Sequence, residues 1–250
     1  EFKMSQSYDL RFDPALSDIF YTLSNFGTLF VIPEEEIILP FDFIRNKKLD
    51  IWSSIPSIAI YMDKFGFLKK NSFPDLKIIY MIGEPFPYEL AKKLQYAAPN
   101  ASVENHYGPT EATIAISRYV FDIQAENIFN KGILPIGKSY TDTEIKIISA
   151  DDEIIDSSDN AGEIIFSGSQ ISTGYLNDKI KTQESFVKYS WDIKNKIWYK
   201  SGDKGIINFK GELECLGRLD SQFKIAGKRI EAGEIEAVLD KFEETKYCIV

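Results

Sequence analysis

Apolar positions recur at two different periods along the chain, and the change of period divides it. In the first half, short apolar runs alternate with helical patterns. Thr28-Leu29-Phe30-Val31-Ile32 reads as a buried strand bounded by Pro33, and Asp50-Ile51-Trp52-Ser53-Ser54 reads the same way. Leu76 to Ile82 is a third strand, ended by Gly83, and Ser102 to Tyr107 a fourth, broken by Gly108-Pro109. Between them the pattern predicts helices over Ala15–Phe26, Pro40–Lys48, Pro56–Phe65 and Pro87–Ala98. Leu16, Ile19, Phe20 and Leu23 share one face of the first helix; Leu90, Ala91, Leu94, Ala97 and Ala98 share one face of the last. This alternation predicts a parallel sheet covered by helices. A strand–helix–strand unit from Leu76 to Tyr107 needs a right-handed crossover between parallel strands. Gly83-Glu84-Pro85 and Tyr107-Gly108-Pro109-Thr110-Glu111 then face one crevice, at the strands' carboxyl ends, where open α/β sheets bind ligands.

Past about residue 125 the period shortens. Glu126 to Lys131 reads as a loop. Strand signals then dominate at Thr143–Ser149, Gly162–Ser167, Trp198–Phe209 and Glu212–Leu216, with a hairpin turn at Asn208-Phe209-Lys210-Gly211 and an exposed acidic turn at Asp151 to Asn160. This stretch predicts an antiparallel sheet or small barrel. After Asp220, Phe223–Ile225 and Arg229–Glu231 flank a turn at Ala226-Gly227-Lys228, and Ile235, Val238, Leu239 and Phe242 share one face of a closing helix.

Composition narrows the function classes. The 250 residues have the make-up of an ordinary soluble globular protein, and the net charge of −9 argues against a general nucleic-acid or membrane-surface binder. Neither a secretory signal nor an apolar run of bilayer length is visible. The two cysteines, Cys215 and Cys248, lack a metal-ligand pattern and fit a reducing cytoplasm. A single histidine excludes a histidine dyad or a multi-His metal site. The chain lacks an initiator methionine and ends on the strand-like Tyr247-Cys248-Ile249-Val250, so a piece of a larger protein is expected.

Local chemistry has bland readings too. Gly132-Ile133-Leu134-Pro135-Ile136-Gly137-Lys138-Ser139 satisfies the phosphate-loop pattern, but that motif works only between a buried strand and a helix, and here a strand is expected to follow. Tyr107 to Glu111 could be a turn, Asp203 in Ser201-Gly202-Asp203 a hairpin residue, and Arg218 a surface arginine. Asp13-Pro14 suits a helix N-cap, and a lone His106 is more often structural than ligand-binding.

Read together, five motifs resemble the adenylate-forming enzymes, in particular the amino-acid adenylation domains of nonribosomal peptide synthetases and the D-alanine–carrier protein ligases. They are Phe12-Asp13, Tyr107-Gly108-Pro109-Thr110-Glu111, Gly162-Glu163-Ile164 through Gly174-Tyr175-Leu176, Tyr199-Lys200-Ser201-Gly202-Asp203, and Gly217-Arg218-Leu219-Asp220 through Glu234-Ile235-Glu236. The resemblance spans nearly the whole chain but not the whole family domain. It implies an α/β fold: a parallel-rich sheet with flanking helices (1–125), a small antiparallel β-barrel (126–219), and the start of a small, mobile α+β C-terminal domain (220–250). The implied reaction activates an amino acid with ATP as aminoacyl-AMP, releases pyrophosphate, and passes the aminoacyl group to the phosphopantetheine thiol of a peptidyl or acyl carrier protein. No nucleic-acid or membrane partner is implied, and the location is cytoplasmic.

Carried over from the family, Tyr107 packs on adenine, Asn105 meets its edge, and Gly83, Glu84 and Pro85 line its other side. Gly108 completes the turn, Thr110 contacts the α-phosphate, and Glu111 helps hold Mg²⁺; Thr110 and Glu111 are the catalytic pair. Asp203 binds the ribose hydroxyls and Arg218 the ribose and phosphate. Asp13 pairs with the substrate's ammonium group. Pro14, Ser17, Ser54, Tyr80, Ile82, His106, Ile114 and Ala115 line the amino-acid pocket. Asp220 is the hinge, and Lys224, Gly227 and Arg229 approach pantetheine. Glu231-Ala232-Gly233-Glu234 departs from the usual Glu-Leu-Gly-Glu only in the smaller Ala232. The family's glycine-rich phosphate loop and its catalytic lysine have no counterpart here, so the chain alone is expected to be inactive. An acyl–CoA ligase of the same superfamily and a non-catalytic nucleotide-binding or interaction module are the alternatives.

Overall fold

The computed structural model describes residues 2–124, 129–158, 160–220, 222–225 and 228–239. In chain order, β1 (Lys3–Gln6), α1 (Pro14–Ser24), β2 (Thr28–Val31), α2 (Phe41–Lys47), β3 (Ile51–Ser54), α3 (Pro56–Lys64), β4 (Ile78–Ile82), α4 (Tyr88–Ala97) and β5 (Ser102–Tyr107) make up the alternating part. The strands lie in the order β2-β1-β3-β4-β5 and pair in parallel. β6 (Ser117–Val120) and β7 (Lys138–Ser139) continue the sheet antiparallel, so it extends beyond residue 125. The hydrophobic pattern missed β1 and β6. Lys-Met-Ser-Gln and Ser-Arg-Tyr-Val contain no apolar run, and their place in the sheet comes from tertiary pairing.

Strand alternation sorts the faces of this sheet. Trp52, Ile79, Met81 and Val103 meet Met62, Leu90 and Leu94 in the main core. Each fully buried side chain of this size contributes about 1.5–3 kcal/mol. The other face carries Ser53, Tyr80, Glu104 and His106.

The first helix corrects the pattern reading. Leu16, Phe20 and Leu23 are exposed, whereas Ala15, Asp18 and Thr22 are buried. α1 packs on β1 and β2. β1 presents the buried polar residues Ser5 and Gln6, and the following Ser7 N–H donates to Asp18 at 3.3 Å. A polar strand end thus selects the polar side of the helix. Asp13 holds the N-cap position, but its backbone is already helical and its side chain makes no capping hydrogen bond.

The second sheet contains β8 (Thr143–Ile148), β9 (Gly162–Gly168), β10 (Phe186–Val187), β11 (Trp198–Ile207) and β12 (Leu213–Arg218). It is five-stranded and antiparallel, curled as a half-barrel. α5 (Lys179–Ser185), absent from the pattern reading, is capped by Asp178, which accepts the Lys181 N–H at 2.9 Å. The hairpin at Asn208 is closed by the Asn208 N–H donating to Glu212 O at 2.9 Å. Ala112, Ile116 and Ile136 of the first part pack against Ile147, Ile164, Phe166, Tyr199 and Leu213 of the second. The segment after Tyr107 is therefore wedged between the two sheets. β13 (Gln222–Ile225) and β14 (Lys228–Glu231) form the expected hairpin, followed by α6 (Ala232–Leu239); Phe242 lies outside the described residues.

The phosphate-loop pattern is structural. Gly137 lies so close to the β6 backbone that an added Cβ would overlap Arg118 O, and Lys138-Ser139 continue as β7, not as a helix. Among the described residues no helix is long and apolar enough to cross a membrane.

Candidate functional site

β5 delivers Tyr107 to the sheet edge, and Gly108-Pro109 turn the chain back on itself. A Cβ at Gly108 would sit 2.8 Å from Ala115 Cα, so only glycine fits. Thr110–Ala112 make one 3-10 turn. Thr113 (φ 57°) and Ile114 (φ 74°) are both left-handed, and the Ala115 N–H donates to Thr113 O at 2.9 Å in a γ-turn across Ile114. Two β-branched residues in that region cost about 1–3 kcal/mol each. The strain is offset by straps from the segment after β9. Thr113 Oγ1 donates to Gln170 O at 2.6 Å, and Gln170 Nε2 donates to Ala115 O at 3.1 Å. The Ser172 N–H donates to Glu111 O at 2.8 Å, and Tyr175 Oη donates to Glu111 Oε1 at 2.6 Å. Glu111 is thereby held nearly buried, beside an exposed Thr110.

Next to this loop, Tyr107 Oη donates to Asp203 Oδ2 at 2.5 Å. Asp203 and Arg218 lie directly opposite in β11 and β12, and Arg218 Nη1 donates to Asp203 Oδ1 at 3.1 Å and to Ser201 O at 2.6 Å. The remaining guanidinium edge binds Asp220 through Nε at 2.9 Å and Nη2 at 2.5 Å. Ser201 Oγ donates to Ile164 O at 2.6 Å and accepts the Asp203 N–H at 2.9 Å, which fixes the turn before the aspartate. Burial pulls the Arg218 pKa down, but the Asp220 and Asp203 carboxylates outweigh it and hold the guanidinium more firmly charged than usual. Burial, then the Asp203 charge, push the Tyr107 phenol well above its ordinary value, so it stays a donor. An ionised carboxylate has about four acceptor sites, so Asp203 keeps capacity for a ligand's hydroxyls. An open cleft of about 360 Å³ adjoins this cluster, lined among others by Glu163, Tyr175, Lys200, Arg218 and Asp220.

The other half of the site lies on the sheet face that carries α1. Tyr80 and His106 stack with centroids 4.7 Å apart at 25°. His106 Nε2 meets Glu104 Oε2 and His106 Nδ1 meets Tyr140 Oη, both at 2.9 Å. Burial pushes Glu104 up, but the bonds from His106 and Ser102 and the charge of Arg118 win and lower it. Tyr80 Oη donates to Asp18 Oδ1 at 2.8 Å. Burial raises the Asp18 carboxyl from 3.8 to about 7, against bonds from Tyr80, Ser53 and Ser7 that lower it. Ile82 and Ala115 are buried; Asp13, Pro14, Ser17 and Ile114 are half-buried. Ser54 pairs with Met81, and the serine beside Tyr80 in the β3–β4 register is Ser53.

Other expected residues have structural duties. Asn105 is buried, and its Nδ2 donates to Pro135 O at 2.8 Å. Glu84 accepts the Ser57 N–H at 2.9 Å at the start of α3, between half-buried Gly83 and exposed Pro85. Lys224 and Arg229 lie opposite each other in the β13–β14 hairpin, and Gly227 lies outside the described residues. Asp18, Glu104 and Gln170 were not anticipated: Asp18 and Gln170 meet partners distant in sequence, and Glu104 meets Ser102 and His106 along its own strand, where no motif marks it. Tyr175 could have been found, since it stands within one of the five motifs. Among the described residues no group of three His, Cys, Asp or Glu is placed to hold a metal ion by itself. Glu111 could therefore bind Mg²⁺ only together with phosphate oxygens, which suits a hard cation that keeps few protein ligands.

The profile of a family described as AMP-binding enzyme matches residues 3–176. A D-alanine–D-alanyl carrier protein ligase of Bacillus licheniformis is 32% identical over 243 residues, covering 96% of this chain and 47% of the relative. The same-named ligase of Bacillus cytotoxicus is 35% identical over 228 residues, covering 90% and 44%. Among solved structures, the Vibrio cholerae adenylation domain AlmE in complex with glycyl-adenosine-5'-phosphate superposes with a TM-score of 0.91 at 33% identity, over 99% of this chain and 46% of that one. The chain thus spans a little under half the length of these relatives.

Proposed function

This chain belongs to the AMP-binding enzyme family, and on that premise we propose that the whole protein activates a small amino acid with Mg·ATP and hands it to a carrier protein. The substrate's carboxylate oxygen attacks the α-phosphorus, an O–P bond forms, and the bond to the bridging oxygen breaks to release pyrophosphate. A phosphopantetheine thiol of the carrier then attacks the acyl carbon; a thioester forms, AMP leaves, and the thiol proton is lost to solvent.

Asp203 accepts the ribose hydroxyls while Arg218 and Tyr107 hold it in place. Tyr107 gives adenine a flat wall, with Asn105 and Gly83-Glu84-Pro85 around it. Thr110 donates to the α-phosphate, and Glu111, steered by Tyr175, supplies a carboxylate oxygen to Mg²⁺. When bound, that cation neutralises phosphate charge as pyrophosphate departs. Asp13, half-buried at the start of α1 and within the Phe12-Asp13 motif, pairs with the substrate's ammonium group. Lys224, Gly227 and Arg229 serve the thiolation step, after rotation about Asp220 of the part beginning near residue 220. The relatives' names, D-alanine ligase and a glycyl-adenylate complex, together with the Tyr80–His106 stack, support a substrate with a small side chain.

The observation that carries this reading is the convergence of Tyr107, Asp203 and Arg218 beside the Glu111 loop. The test is ATP–pyrophosphate exchange by the full-length protein with a panel of L- and D-amino acids. Exchange with glycine or an alanine enantiomer is expected. Exchange with fatty acids or acetate instead would replace this reading with an acyl ligase.

A further inference from the structure

Beneath the amino-acid side of the site lies a carboxyl group that the proposed chemistry does not use. Asp18 is fully buried on the inner face of α1, so it cannot meet a substrate's ammonium group from the crevice. Its partners are neutral donors: Tyr80 Oη at 2.8 Å, the Ser7 N–H at 3.3 Å, and Ser53. Tyr80 in turn stacks on His106. The imidazole is fixed at both nitrogens, by Glu104 and Tyr140. The phenol's polar end is held by Asp18, with Ser53 beside it. The two rings span β4 and β5, on residues that stand two positions apart in the register: Tyr80 faces Glu104, and His106 faces Ile82.

We propose that Asp18 is a positioning residue that sets the size of the amino-acid pocket, gripping the Tyr80 hydroxyl so that the Tyr80–His106 stack stays flat and leaves room for a hydrogen or methyl side chain only. This rests on the amino-acid-activating reading above. A buried hydroxyl that loses its acceptor must find another or turn toward water. For Tyr80 that acceptor is Asp18, so without it the ring is no longer held flat in the stack. The wall then yields: the small substrate loses its close contacts, and a larger one gains space. His106 stays where Glu104 and Tyr140 hold it, so the nucleotide half is untouched.

The test uses the full-length protein with ¹³C-labelled histidine, the His106 resonance being assigned by His106→Gln. Stacking on Tyr80 places the His106 Cε1–H under the phenol's ring current. Asp18→Ala and the milder Tyr80→Phe are expected to move that resonance. In exchange assays with glycine, both alanines, valine and leucine, both variants are expected to raise KM for the small amino acid about 10-fold and to lower the small-to-large kcat/KM ratio at least about 10-fold, with KM for ATP unchanged. Asp18→Asn keeps an oxygen for the Tyr80 hydroxyl and is expected to bring both readouts back to within about 3-fold. An unmoved resonance and an unmoved ratio in Tyr80→Phe and Asp18→Ala overturn the clamp and leave Asp18 a packing residue. Should the unmodified protein exchange with no amino acid, the activating reading fails, and the His106 resonance alone decides the clamp.

Discussion

The site contains the same pair twice, a tyrosine hydroxyl donating to an aspartate, in two different surroundings. Tyr107 and Asp203 meet across two sheets, with the Arg218 guanidinium on the other carboxylate oxygen and the Asp203 side chain 15% exposed. Tyr80 and Asp18 meet between the sheet and α1, where Asp18 is 0% exposed and its donors are neutral. The first carboxylate is stabilised by an adjacent charge and can still accept from a ligand. The second resists ionisation and serves the protein itself. A carboxylate's role in this site follows from what faces it.

The largest expected effect lies between the two pairs, at the strained loop that joins them. If Glu111 holds Mg²⁺ as proposed, Glu111→Ala in the full-length protein is expected to lower kcat for exchange on the order of 10³-fold, the loss that follows removal of a group stabilising transition-state charge. KM for the amino acid should change little. Normal turnover in this variant would end the Mg²⁺ role assigned to Glu111 and remove the reason for tolerating left-handed Thr113 and Ile114.

The two halves differed in how far the sequence revealed them. Asp203, Arg218 and Glu111 stand inside short motifs, with the turn residues that shape them close by. The parallel β4–α4–β5 unit was legible for the same reason: its strands are apolar and its helix has one clear face. Asp18 was hidden by the opposite circumstance. Leu16, Phe20 and Leu23 offered a ready apolar stripe, yet the polar strand β1 drew in Ala15, Asp18 and Thr22. β1 itself has no apolar run, so neither partner announced the other. Gln170 was equally silent, because its bonds to the loop cross 55 residues of chain or more.

The buried Tyr80–Asp18 pair makes a prediction in pH. The folded protein raises the Asp18 carboxyl from 3.8 to about 7, so it binds this proton more tightly than the unfolded chain does. The contribution to stability is full below about pH 4 and is lost as pH rises through about 7. That rise caps the loss at roughly 4 kcal/mol, and relaxation around the carboxylate brings the measured value lower. Asp18→Asn removes the titration. In denaturant titrations its stability relative to the unmodified protein is expected to grow between pH 5 and pH 8. A constant difference across that range would mean that Asp18 ionises without penalty, and the contrast between the two aspartates would collapse.

On the charged side, Arg218→Ala removes the bonds to Ser201, Asp203 and Asp220 together. The expected result is a rise in KM for ATP of about 10- to 30-fold, with the amino-acid preference unchanged. Arg218→Lys keeps the charge without the fork and should recover only part of the loss. A changed amino-acid preference in either variant would show the two halves of the site to be coupled.

The smallest effect sharpens the comparison most, because one chemical change can be made in both places. Tyr107→Phe removes a donor from Asp203, which keeps Arg218 and access to water, so about 1 kcal/mol is expected, read as a few-fold rise in KM for ATP. Tyr80→Phe removes a donor from Asp18, which has no access to solvent. Leaving a buried acceptor short of a donor costs about 1–3 kcal/mol, so the melting temperature should fall further in this variant than in Tyr107→Phe. The losses should also differ in kind: ATP affinity on one side, amino-acid selectivity and stability on the other. Equal losses of the same kind from the two substitutions would show that burial and the neighbouring cation do not separate these pairs. The division of the site into a nucleotide half and an amino-acid half would then have to be redrawn around the Glu111 loop that touches both.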